Sequence, residues 1–155
     1  MQSNKKAITR VELQPSIQLH YSRIPKELQD KNRWVCFKFV QKEEQAKVSK
    51  VPMNPNNGGY ASCNDPKTWS NFQTALNAVE KYDFDGIGFQ LGEGIFGVDL
   101  DNCFDQNCNL SDEARDILNR LDSYTEFSPS GKGLHILAFG PIPGGERKNT
   151  EKGLE

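Results

Sequence analysis

Two aspartates, Asp99 and Asp101, close a short apolar run made of Ile95, Phe96, Gly97, Val98 and Leu100. An apolar run bounded by glycine and polar residues reads as a β-strand. Successive strand side chains point to opposite faces. Phe96, Val98 and Leu100 therefore share one face, while Ile95, Gly97, Asp99 and Asp101 share the other. The first face needs a hydrophobic cover. The second holds two carboxylates about 7 Å apart along the strand, and like charges held that close repel unless a cation lies between them. Hard oxygen donors of this kind suit Mg²⁺ or Mn²⁺. The competing reading is a strand that simply runs into a solvated acidic turn. A second pair, Asp83 and Asp85, falls between a helix end and the next strand, and is expected to be such a solvated, structural turn.

A second stretch with chemistry in it is Ser128-Pro129-Ser130-Gly131-Lys132-Gly133, followed by the apolar residues 134–139 with His135 among them. Small residues let backbone N–H groups approach an anion closely. Ser128 and Ser130 add hydroxyls, and Lys132 adds charge. The spacing is not that of a Walker loop. A lone histidine in a strand is commonly a structural group, but three residues after a glycine-lysine-glycine turn its imidazole is also placed to donate to a phosphate. A third stretch, residues 50–62, is rich in proline, asparagine and glycine and reads as an ordered loop. It is either a connector or, through Lys50 and its exposed amides, a phosphate contact.

The elements that must hold these residues follow from periodicity. Residues 24–30 form a helical turn with Pro25 at its start. Residues 33–40, rich in aromatic and β-branched side chains, form a strand, and residues 41–49 a charged hairpin tip. Asp65 and Pro66 open a helix over 66–81 whose Trp69, Phe72, Leu76 and Val79 make one apolar face. Residues 86–91 form a strand, joined by a tight turn at Gly92-Glu93-Gly94 to the aspartate strand running antiparallel to it. After a polar loop at 102–109, Ser111 caps a second helix over 111–122 with Ala114, Ile117, Leu118 and Leu121 facing inward. Residues 123–127 and 134–139 are strands flanking the serine-glycine turn, and 140–152 is a loop rich in glycine, proline and charge. Residues 1–22 carry no clear periodicity and read as a flexible arm, with a short strand expected within 11–19.

Composition bounds the class. The chain has 155 residues, a net charge of −2 and a mean hydropathy of −0.70. It carries no global basic signature of nucleic-acid binding, though a local basic groove needs none. The polar N-terminus has no apolar core of a secretory signal, and no run is long enough to span a bilayer. No membrane partner is expected, and the compartment expected is the cytoplasm of a bacterium or phage-infected host. Cysteines 36, 63, 103 and 108 contain no C-x-x-C pair and read as free thiols.

Three pieces in order then become specific together: Lys50-x-Pro52-x-x-Pro55-Asn56; Gly97-Val98-Asp99-Leu100-Asp101; and Ser128-Pro129-Ser130-Gly131-x-Gly133-Leu134-His135. This succession, over residues 33–155, resembles the primase-polymerases of the archaeo-eukaryotic primase superfamily, of the phage and plasmid type. The resemblance implies an α+β fold, an RRM-like antiparallel sheet with helices 66–81 and 111–122 on one face and an acidic catalytic cleft on the other. It implies a catalytic domain over 23–155, truncated at its C-terminus. By the same resemblance Asp99 and Asp101 bind Mg²⁺ or Mn²⁺, and Glu155 stands where the third metal carboxylate belongs. His135 with Ser128, Ser130, Gly131 and Lys132 holds the triphosphate, and Lys50 faces nucleotide or template. The implied activity is two-metal nucleotidyl transfer onto a primer, or de novo, on a DNA template. Nucleoside triphosphates and DNA are then the partners, with a replicative helicase domain possible in a longer protein.

Two other readings belong to different classes. Val98-Asp99-Leu100-Asp101-Asn102 also resembles the first motif of haloacid-dehalogenase phosphatases, but those place this strand early in a parallel α/β domain. The other is a non-catalytic nucleic-acid-binding primase fragment.

Overall fold

In a computed structural model, the structure describes residues 9–10, 21–41 and 48–141. The chain divides into two compact units, Met1–Gln90 and Leu91–Glu155.

The first unit is built on β2, Trp34–Gln41, where Trp34, Val35, Cys36 and Phe37 are all buried. The two-residue strand β1, Thr9–Arg10, pairs antiparallel with its far end, and β3, Val48–Met53, pairs along residues 36–41. The strand expected within 11–19 lies outside the described residues. β4, Gly86–Phe89, pairs with β2 at Trp34 and Val35. The short helix α1, Lys26–Gln29, is tied down where the Trp34 indole donates to the Leu28 carbonyl at 3.0 Å. Trp34 also meets Phe72 and Phe89 edge-on, with ring centroids 4.9 and 5.0 Å apart, a favoured aromatic geometry.

Three local expectations change here. The loop expected over 50–62 begins as a strand, because Lys50, Val51, Pro52 and Met53 belong to β3, and a proline is tolerated on a strand that need not donate at that position. The helix expected over 66–81 is two elements. Asp65 caps a 3₁₀ turn, Pro66–Thr68, by accepting from the Lys67 amide, and Asn71 caps a separate helix α2, Phe72–Lys81, by accepting from the Thr74 amide at 2.8 Å. Between them Ser70 exchanges two backbone hydrogen bonds with Trp34, at 3.0 and 2.8 Å, which draws that segment into the sheet. The acidic turn at 83–85 is structural but only half solvated. Asp83 is exposed, while Asp85 is buried and its carboxylate accepts the Phe39 amide at 2.7 Å.

The second unit holds β5 Ile95–Leu100, α3 Asp112–Leu121, β6 Tyr124–Phe127 and β7 Leu134–Phe139, with the antiparallel sheet ordered β5-β7-β6. Ser111 caps α3 through the Ala114 amide, and Asp112 and Glu113 sit in its first turn, where the helix dipole favours negative charge. Leu100, Cys103, Ala114, Leu134 and Ile136 form the core, with Val98, Ile117, Leu118 and Leu121 packed against it. The apolar face of the aspartate strand thus meets α3 as its alternation demands.

The fold is α+β with antiparallel pairing throughout, as expected, but its strands fall into two sheets, a four-stranded and a three-stranded one. The tight turn at Gly92–Ile95 forms, with Glu93 and Gly94 both at positive φ and mutual backbone bonds between Gly92 and Ile95. It does not propagate into the expected hairpin, since β4 ladders with β2 and β5 with β7.

Candidate active site

The second sheet puts its chemistry in one row. In the β5-β7-β6 register Asp99 pairs with His135, and His135 pairs with Glu126. Residues directly opposite on antiparallel strands share a face, so one carboxylate stands on either side of the imidazole. The His135 Nε2 lies 3.9 Å from Asp99 Oδ1, and its Nδ1 lies 3.4 Å from Glu126 Oε1. Tyr124, two residues before Glu126, donates its hydroxyl to Glu126 Oε2 at 3.1 Å. Burial above all, and then the nearby Glu126 charge, push the Tyr124 phenol upward, which keeps it a neutral donor. The opposite face of the same strands carries Leu100, Leu134 and Ile136 into the core. The polar face is not uniform along its length: Ile95, at the far end of β5, is 2% exposed, whereas the Asp99 side chain is 51% exposed.

Asp101 lies one residue past β5, exposed, at a turn whose next residue, Asn102, has φ +49°. The serine-glycine turn is held against the same strand end by Gly133. A Cβ on Gly133 would sit 2.4 Å from the Leu100 carbonyl oxygen and 3.4 Å from the Asp101 Cα, so only glycine permits that approach. Inside the turn the Gly131 amide donates to the Ser128 carbonyl at 2.8 Å. The Lys132 amide donates to Ser130 Oγ at 3.3 Å, and the Gly133 amide to Ser128 Oγ at 3.1 Å. The two serine hydroxyls are 3.0 Å apart. Ser128 is buried, while Ser130, Gly131 and Lys132 are exposed.

Asp99, Asp101, Ser128, Ser130, Gly131, Lys132 and His135 are therefore gathered in one unit. Lys50 belongs to the other, on β3, with its ammonium 4.0 Å above the Phe37 ring. Glu155 lies outside the described residues. Among the described residues no cluster of three or more histidine, cysteine, aspartate or glutamate side chains is arranged to hold a metal. The donor set still fits a hard divalent ion, because Mg²⁺ is typically bound through one or two carboxylates with water and substrate phosphate completing its shell.

Glu126 was not picked out by the sequence reading. The signal was available, since a turn over 128–133 makes Phe127 and Leu134 the first strand pair and so sets Glu126 opposite His135.

No protein-family model matches the chain. It is 39% identical over 114 residues to a DNA primase-polymerase of Nitratiruptor phage NrS-1, a match covering 72% of this chain and 15% of that protein. Over that stretch the chain is similar to a phage-type primase-polymerase. The chain spans only a small part of its relative's length.

Proposed function

We propose that the chain carries the nucleotidyl-transfer site of a primase-polymerase, which adds nucleotides to a primer, or begins one, on a DNA template. The observation that carries this reading is the row Asp99–His135 beside a turn that Gly133 packs onto the Leu100–Asp101 strand end. Primer and template DNA and nucleoside triphosphates are the partners. A helicase domain elsewhere in a longer protein remains part of the proposal on the family resemblance alone, as does a catalytic domain over 23–155.

Asp99 and Asp101 hold the divalent ion on which such polymerases depend, Mg²⁺ or Mn²⁺, and Glu155 is the third carboxylate that the resemblance assigns. Bound there, the ion supplies the Lewis acidity that phosphoryl transfer needs at the attacking hydroxyl and the leaving pyrophosphate. The chain's own residues position the triphosphate. The Lys132 ammonium and the His135 imidazole are the charged and titratable side chains offered to a phosphate, and the exposed Ser130 hydroxyl adds to them, although its oxygen already accepts the Lys132 amide. Ser128 and the amide of Gly131 join them only if the internal bonds of the turn are exchanged for bonds to oxygen of the ligand. Lys50 is assigned to nucleotide or template by the resemblance, not by its placement.

A haloacid-dehalogenase phosphatase would need β5 in a parallel sheet, whereas it pairs antiparallel with β7. Calorimetry tests the metal assignment: Asp99→Asn with Asp101→Asn should abolish Mn²⁺ binding with the fold intact. Wild-type binding by the double variant would return the pair to an ordinary acidic turn.

A further inference from the structure

We infer that Glu126 is a positioning residue for His135, and that Tyr124 in turn orients Glu126. The inference rests on the reading of His135 as a phosphate-holding group. An ionised carboxylate is an acceptor only, so the 3.4 Å contact between Glu126 Oε1 and His135 Nδ1, shorter than the 3.9 Å to Asp99 on the other side, is a hydrogen bond when the proton sits on Nδ1. Which imidazole nitrogen is protonated is decided by the partner of the other one. With Nδ1–H directed at Glu126, the ring presents Nε2 toward Asp99, 3.9 Å away, on the side where the metal and triphosphate are assigned. A cationic ring donates from both nitrogens at once, so a phosphate oxygen takes the Nε2–H while Glu126 keeps the Nδ1–H.

The Glu126 carboxylate is not left to choose another partner. Its second oxygen accepts the Tyr124 hydroxyl at 3.1 Å, and Tyr124 and Glu126 project from the same face of β6 as successive outward residues. β7 is the central strand of its sheet, so His135 is held from both flanks, by Asp99 of β5 and by Glu126 of β6. Outer carboxylates fix ring orientation and tautomer in this way for metal-ligating histidines, and the same geometry is present here at His135.

The test is nitrogen NMR of the two imidazoles, His20 and His135, with His135→Ala giving the assignment, recorded where the ring is neutral. In parallel, dATP binding is titrated in the presence of Mn²⁺. The wild-type His135 ring should carry its proton on Nδ1. Glu126→Gln, which keeps a carbonyl acceptor, should preserve that tautomer. Glu126→Ala should move the proton to Nε2 in most molecules and, because the ring is then no longer held from the β6 side, weaken dATP binding roughly tenfold through lost orientation, a loss of about 1.4 kcal/mol. A wild-type ring protonated on Nε2, or a tautomer unmoved by Glu126→Ala, overturns the positioning role. His135→Ala separates the two levels. If that variant binds dATP as wild type does, the underlying phosphate reading fails. If it loses affinity while Glu126→Ala leaves the tautomer unchanged, the positioning role alone fails.

Discussion

At the scale of single residues, the row Asp99–His135–Glu126 divides into a part visible in the sequence and a part that needed three dimensions. Asp99 and His135 stand out because each is a polar interruption of an apolar strand, and such an interruption asks for a reason. Glu126 does not stand out. An exposed glutamate in a half-polar strand is what solvent alone would select, and only the cross-strand register gives it a partner. The role of His135 is open to direct test. A charge-assisted hydrogen bond to phosphate contributes about 1.5–3 kcal/mol, so His135→Ala should weaken nucleotide binding roughly tenfold to a hundredfold, with metal binding in the absence of nucleotide retained. A large fall in melting temperature with unchanged affinity per folded molecule would instead make the histidine structural. The cysteines give a second residue-scale expectation. Cys36 is fully buried and its thiol donates to the Ala75 carbonyl at 3.3 Å; burial pushes that thiol up to about 12 and also raises Cys103. The thiolate is the reactive form, so at pH 8 iodoacetamide should modify the exposed Cys63 and Cys108 and spare Cys36 and Cys103 until the protein is denatured. Peptide mass spectrometry reads the outcome.

At the scale of elements, what was local in origin could be read from the chain. The Ser111 cap, the apolar stripe of α3, and the turn at 128–133 all depend on residues within a few positions of one another. What was not local could not be read. The break between the 3₁₀ turn and α2 is imposed by Trp34, thirty-six residues earlier, whose backbone captures Ser70. The partner of β4 is likewise β2 and not its neighbour in sequence. Asp85 shows the same remote control, because its carboxylate satisfies an amide of β2 where the β4 ladder ends. Asp85→Ala leaves the Phe39 amide without that acceptor and should cost about 1–3 kcal/mol, whereas Asp83→Asn, which keeps a residue suited to the positive φ there, should change stability little, both read from denaturant midpoints. The packing of the serine-glycine turn onto β5 depends on Gly133. Gly133→Ala forces a Cβ against the Leu100 carbonyl and should destabilise by about 1–3 kcal/mol. Melting of this variant at the wild-type temperature would show that the turn is not pressed onto the strand as described.

At the scale of the whole molecule, the α+β class and antiparallel pairing follow from short alternating strands around two capped helices. The division into two sheets does not, since sheet membership is decided by long-range pairing that leaves no trace in local periodicity. Among the described residues no helix is long and apolar enough to cross a membrane. The net charge of −2 offers no overall attraction for nucleic acid, so any such contact rests on local groups and not on the field of the whole chain. The central claim is that Asp99 and Asp101 serve nucleotidyl transfer. Its most direct test is incorporation of radiolabelled nucleotide on a primed DNA template with Mn²⁺, using the protein in its natural full length. The expected result is template-dependent extension by the wild type and none by the Asp99→Asn, Asp101→Asn protein. Extension by the double variant at the wild-type rate would contradict it.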